Sequence, residues 1–555
     1  MFNRYSSDEI ELKNAASQDL KTDEKDNKSN GCLRNGRKYL TTYLQEGNIH
    51  GLKYLAERRT AIEKIWWLIA LIVALYGCIT LILLTYKKWE TSPVIVSFAT
   101  KETPIFDIPF PTVTICPEVK SRTTIFNYTD ILYKKQDGVK LDNQTELQFA
   151  YMSEICTFHK ELKYPVPKYF DNSIYDFYQD VSPNFYDDVS DCMFMGSNYN
   201  CSDIFKPIVV DEGLCYAFNL LDRSDMLNDN VAVYKNLHKM SDQKAAWSLN
   251  EGYTSLKGRD IYPKRALYAG ALFSLELKFK VEDKNLDFTC GTSIQGYKIQ
   301  IHQPSMLPRP KNQHFRIPLD QSVIAAVMPN MITTSEAVKN YSPSRRKCYF
   351  SSERTLKYFK TYTQQNCQIE CITNYTLHEC GCVDFYMPRE ANTPICGTPM
   401  KGCVKKADDD RLEAGINAQL SEKMGLKYEP TRAYKQTLVC DCMPECTFMS
   451  YIVENSQSDW DWERKYQMDR NSPSYNKSTT HMSYLQVFFK SNQFITSDRN
   501  ELYGVTDFLA NFGGLLGLFT GFSALSLVEI LYFLTLRIIC NIKLYGRRHW
   551  YGEDK

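Results

Sequence analysis

Net charge is almost missing from this sequence: 66 lysines and arginines stand against 65 aspartates and glutamates, so no charge asymmetry selects a polyanionic partner, and nucleic acid is not expected. The first ~60 residues lack the apolar core of a cleavable signal peptide. Paired CxxC knuckles are absent, which weighs against a structural zinc module, although His378 lies among cysteines. His378-Glu379 has no second zinc histidine, and Gly521-Phe-Ser lacks the second glycine of a nucleophile elbow. With no internal repeat either, an enzyme, a bound metal and an organic cofactor are all unexpected.

Two long apolar runs are present. Ile65 to Tyr86 is uncharged and long enough to span a bilayer, and Val505 to Leu536 is the second such stretch. Arg58, Arg59 and Lys64 precede the first; Arg537, Lys543, Arg547 and Arg548 follow the second, while Asp498, Glu501 and Asp507 precede it. Lys87 and Lys88 oppose this bias locally, yet the balance puts both termini in the cytoplasm and makes the first run an uncleaved signal anchor. The expected parts are a cytoplasmic region over 1–64, a span over 65–86, an extracellular domain over 87–504, a second span over 505–536 and a tail over 537–555.

The cysteines test that topology, because disulfides persist outside the reducing cytosol. Of nineteen, Cys32, Cys78 and Cys540 precede, interrupt or follow the spans, leaving an even sixteen between them. Six glycosylation sequons, at Asn127, Asn143, Asn200, Asn340, Asn374 and Asn476, share that interval, and Asn27 alone lies on the inner side. Residues 348–446 hold ten cysteines, from Cys348 to the closing Cys440-x-Cys442-x3-Cys446, and read as a disulfide stack in preference to a zinc site. Ala271–Lys280 and Tyr484–Lys490 alternate apolar and polar residues as half-buried strands do, and the second is expected to lead into the membrane. Asp408 to Met424 reads as a helix between cysteine-rich turns.

The second apolar run is unlike a plain anchor. Gly513, Gly517 and Gly521 recur every fourth residue, near one helical face with roughly 40° of drift per step. Glu529 places an acid at membrane depth, where it costs a few kcal/mol or more and marks a conduction path. Close helix packing is the alternative reading of the glycines. Glu529 snorkelling or paired with Arg537 is the alternative for the acid, but eight residues separate the two, about 12 Å along a helix.

His50-Gly51, Phe110-Pro-Thr-Val-Thr-Ile-Cys116, Gly213-Leu-Cys-Tyr-Ala-Phe-Asn219, the cysteine series and Phe512-Gly-Gly through Gly521-Phe-Ser523 to Glu529, in this order, resemble the degenerin/epithelial sodium channel family, most of all its arthropod pickpocket branch. The resemblance covers nearly the whole chain. It implies an α+β membrane protein: a trimeric cation channel with two transmembrane helices flanking a large disulfide-rich ectodomain, built as a β-sheet palm and a helical thumb over 348–446. It implies the pairs Cys116–Cys215, Cys192–Cys201, Cys348–Cys446, Cys367–Cys442, Cys371–Cys440, Cys380–Cys403 and Cys382–Cys396; Cys156 and Cys290 are left for each other.

The resemblance also implies roles. Gly521, Phe522 and Ser523 match the selectivity filter, with Phe522 replacing a smaller residue of many relatives; backbone carbonyls there replace a cation's hydration shell. Ala510 and Asn511 match the outer gate, Gly513 and Gly514 the pore wall, and Gly517 the ring associated with amiloride block. Ser526 and Glu529 share a face below the filter, and His50 and Gly51 match a re-entrant cytoplasmic gating motif. The expected permeant ion is sodium, and the expected partners are membrane lipid, identical or related subunits and an extracellular ligand, at the plasma membrane. A two-pass adhesion or scavenger receptor is the non-channel alternative; an ATP-gated trimer fails on its cysteine layout and on nucleotide-binding lysine motifs that are missing here.

Overall fold

The computed structural model describes residues 34–91, 94–156, 166–254, 261–291, 293–425, 440–468, 475 and 479–552. Asn27, Cys32 and Asn476 lie outside them. The chain divides into two compact units: Val96–Asn500, and the terminal segments Met1–Ile95 with Glu501–Lys555.

The larger unit is built on two sheets. Eight strands form the first, in which Gln321–Thr334 is central: it pairs in parallel with Thr480–Phe489 and Gln493–Glu501 and antiparallel with Phe448–Asp459. Alternation explains the strand Leu275–Glu282, which buries Leu275, Leu277 and Phe279 while Glu276, Lys278 and Lys280 are half-buried. Its expected start at Ala271 is corrected, because Ala271–Phe273 forms a 3-10 turn before the strand begins. A second correction concerns Tyr484–Lys490. That segment belongs to Thr480–Phe489, and the strand that leads towards Val505 is the next one, Gln493–Glu501.

The second sheet runs Phe315–Ile317, Tyr297–His302, Thr112–Pro117, Gly213–Phe218, Phe205–Val210. Both motif strands, Thr112–Pro117 and Gly213–Phe218, are buried along their whole length. Phe110 packs edge-on against Phe194, Phe218 and Phe489 at ring-centroid distances of 5.2, 6.0 and 5.4 Å, joining residues of both sheets in one core. The Asn219 side-chain amide donates to the Phe110 and Lys264 carbonyls at 2.6 and 2.8 Å. These two motifs therefore serve packing and backbone satisfaction in the core.

The helices Gln364–Cys380 and Lys401–Lys423 pack through Tyr375, Ala407 and Ala414, and the second begins seven residues before the expected 408. Disulfides Cys348–Cys446, Cys367–Cys442, Cys371–Cys440, Cys380–Cys403 and Cys382–Cys396 ladder this region, and Cys116–Cys215, Cys156–Cys290 and Cys192–Cys201 close the rest. Each such bond typically contributes about 2–4 kcal/mol. Asn127, Asn143, Asn200, Asn340 and Asn374 are all exposed.

Glu154 is buried beside this ladder, with Thr398 Oγ1 donating to it at 2.9 Å and the Lys401 ammonium forming an ion pair with it at 3.7 Å. Burial pushes its carboxyl up to about 7 against an ordinary 4.5; Lys401 and the Thr398 hydroxyl oppose the rise and Asp384 adds to it. Between those values the folded chain keeps a proton that the unfolded chain has released, so this group's contribution to stability falls as pH rises from 4.5 to about 7 and returns on acidification. Glu154→Gln should remove this slope and raise the melting temperature at pH 8 by about 2 °C or more, as read by thermal unfolding of the purified chain at pH 5 and pH 8.

Candidate functional site

The first apolar helix, Ala61–Thr91, is longer than the expected 65–86 because its charged flanks continue the helix. Almost all its apolar surface is exposed, with Tyr76 74% accessible, as a lipid-facing helix requires. Phe508 lies against Trp89 and Tyr86, with ring centroids 5.3 and 6.4 Å apart. The second apolar run is not one helix. Val505–Thr520 ends, three residues intervene, and Ala524–Leu534 begins, followed by Leu536–Tyr545.

The three residues are Gly521-Phe522-Ser523. Gly521 adopts left-handed backbone, φ 69° and ψ 11°, and its N–H donates to the Gly517 carbonyl at 2.9 Å, closing the upper helix. Ser523 is extended and caps the lower helix: its Oγ accepts from the Ser526 N–H at 3.3 Å, and the Ser523 N–H donates to Ser526 Oγ at 3.1 Å. Ser526 is accordingly buried, its hydroxyl occupied in the cap.

A break in a helix leaves carbonyls without their intrahelical donors. Thr520 Oγ1 donates to the Leu516 carbonyl at 2.7 Å, and the Thr520 carbonyl itself accepts the His50 N–H at 3.0 Å. The His50 ring covers Gly521 so closely that a β-carbon there would fall 2.9 Å from ring carbons. Gly51 has φ 89°, and a β-carbon on it would meet Leu71 Cδ2 at 2.9 Å. The His-Gly pair thus caps the break and fits against the first helix within one unit.

Residues the sequence reading missed extend this contact. In the helix over 34–46, the Tyr39 hydroxyl donates to the Phe533 carbonyl at 2.5 Å, capping the lower helix near its C-terminal end, and the Tyr43 ring meets Phe533 edge-on at 5.1 Å. Glu46 pairs with Arg537 at 2.5 Å, and Asn48 Nδ2 donates to Glu529 Oε2 at 3.3 Å. Arg537 therefore has Glu46 as its ion-pair partner. No residue type or spacing signals these contacts, which span up to 494 positions in sequence.

Ala510, Asn511, Gly513, Gly514 and Gly517 are exposed on the upper helix, and a β-carbon on Gly513 or Gly514 would meet nothing within 4 Å. Packing among the described residues does not require glycine at either position. Among the described residues no cluster of three or more His, Cys, Asp or Glu side chains is arranged to hold a metal.

The family model described as amiloride-sensitive sodium channel matches residues 43–533. The chain belongs to that family. Pickpocket protein 28 of Drosophila melanogaster is 27% identical over 91% of this chain and 80% of its own length. Sodium channel protein Nach of the same fly is 24% identical over 95% and 92%. Acid-sensing ion channel 1A of Danio rerio is 22% identical over 88% and 86%. Membership makes the chain a two-pass membrane protein of an ion-channel family and not an enzyme, and the match takes in the N-terminal contact residues from Tyr43 onward, the break and Glu529.

Proposed function

We propose that this chain is one subunit of a trimeric, amiloride-sensitive, sodium-preferring channel of the plasma membrane, opened through its ectodomain. The observation that carries the reading is the capped break at Gly521-Phe522-Ser523 within an otherwise apolar run, since non-helical backbone at membrane depth is tolerated where it lines a cavity or is buried in protein. Glycines at 513 and 514, which no packing among the described residues demands, leave room for neighbouring subunits, identical or related. Phe522 is half-buried, and in this reading it is its backbone carbonyl that serves the filter.

In this reading 1–64 and 537–555 are cytoplasmic, 65–86 and 505–536 hold the spans, and 87–504 is extracellular, carrying glycans on exposed sequon asparagines and accepting a ligand. Ala510 and Asn511 form the outer gate, Gly517 takes part in amiloride block, and Glu529 contributes to a ring that attracts cations and repels anions. His50 and Gly51 act on opening through the break they cap.

Ala510 is small and exposed on the upper helix. A bulky side chain there should hold the gate open, so Ala510→Val expressed in oocytes should give a sustained sodium current at least ~5-fold above the unmutated baseline, a shift of about 1 kcal/mol in the closed–open equilibrium. Amiloride should reduce that current. A variant at the cell surface with baseline current would sink the assignment of the gate.

A further inference from the structure

Glu529 is half-buried, and among the described residues it enters no ion pair. The nearest arginine in sequence, Arg537, has its guanidinium on Glu46. What reaches Glu529 is the Asn48 amide, at 3.3 Å, two residues before the His50 N–H that holds the Thr520 carbonyl. Residues 48 to 50 therefore bridge the break, fixing the end of the upper helix with one group and the acid of the lower helix with another. A neutral donor orients a carboxylate without cancelling its charge, as a lysine or arginine would.

We propose that Asn48 is a specificity-determining residue of the conduction path, which sets how strongly Glu529 draws multivalent cations from the cytoplasmic side. This rests on the reading of Glu529 as facing the path. By directing the carboxylate towards the N-terminal segment, the Asn48 amide keeps it from binding a divalent cation tightly enough to plug the path. Conduction requires such restraint, because an ion held too well does not leave. Asn48→Asp converts the donor into a second carboxylate within a few ångströms of the first, and the pair then favours a divalent over a monovalent cation. Asn48→Ala releases Glu529 without adding charge.

Magnesium alone is the probe, applied to the cytoplasmic face of excised patches in the Ala510→Val background. Asn48→Asp should tighten block of outward sodium current about tenfold, and Asn48→Ala about two- to threefold, the difference reflecting the added charge. With Glu529→Gln also present, the effect of Asn48→Asp should shrink to less than about twofold, because the two residues act through one another. A residue that merely supports folding would change surface density and leave this coupling at zero. Contact is read separately in chains with Cys32, Cys78 and Cys540 replaced by serine: Asn48→Cys with Glu529→Cys should be bridged by a short bis-thiosulfonate, with the linked peptides identified by mass spectrometry.

Magnesium block identical in the unmutated, Asn48→Asp and Asn48→Ala backgrounds, with normal current, would overturn the role of Asn48 and leave the conduction reading intact. A linked peptide pair in surface-expressed chains that pass no current in any background would instead overturn the conduction reading. Failure of the bridge to form in a conducting double variant would overturn the contact itself.

Discussion

Gly521→Ala should lower sodium current by about tenfold or more while the amount of protein at the cell surface stays near normal. Two costs act together. Left-handed backbone at φ 69° costs an L-residue roughly 1–2 kcal/mol, and the new methyl group would fall 2.9 Å from the His50 ring, well inside contact distance. One unit of 1.4 kcal/mol is already a factor of ten in an equilibrium, so even partial transmission of these costs to the break would depopulate the conducting arrangement. The ectodomain core and its disulfides are remote in sequence from this position, which is why assembly and export should survive. Surface biotinylation alongside voltage clamp checks both halves of the statement. Full current from Gly521→Ala would mean that the left-handed turn and the histidine cover are dispensable.

Gly51→Ser should act through the same joint from the other side, reducing current by about tenfold without removing surface protein. Gly51 stands at φ 89°, and its added β-carbon would meet Leu71 of the first apolar helix at 2.9 Å. The two contributions separate experimentally. Leu71→Ala relieves the collision and not the backbone strain, so the double variant should recover part of the current. Gly51→Asn keeps the collision but tolerates left-handed backbone better than serine, and should be the milder single substitution. Normal current per surface channel in Gly51→Ser would count against a role for this turn in opening.

The sequence made different parts of this molecule legible for different physical reasons. Length and hydrophobicity alone mark both apolar runs, because a bilayer imposes one minimum length on any helix that crosses it. Strand periodicity marks the interior of Leu275–Glu282 but misplaces its start, since the Ala271-Leu-Phe turn carries the same apolar residues as a strand would. It also misdirects Tyr484–Lys490 towards the membrane, because alternation reports burial on a sheet and says nothing about which strand comes last. The family resemblance draws attention to Gly521-Phe-Ser and to His-Gly as separate motifs. Their meeting, through the His50 N–H and the Thr520 carbonyl, depends on a fold that brings residues 470 positions apart into contact.

Asn48, Glu46 and Tyr39 illustrate the remaining gap. Each is an ordinary polar residue in a polar segment, with neither periodicity nor a motif to distinguish it. Their significance comes from the partners: a helix-end carbonyl at Phe533, an arginine at 537 and an acid at 529. An orphaned carbonyl is implied wherever a helix breaks in an apolar environment, so sequence reasoning can require a donor near Thr520 without naming it.

Whether this chain conducts sodium is tested most directly by voltage clamp of cells expressing Ala510→Val, with external sodium exchanged for a large organic cation. Inward current should disappear on the exchange and return when sodium does, with the reversal potential moving to negative values in between. Inward current unchanged by the exchange, in cells where the protein is verified at the surface, would contradict sodium conduction by this chain.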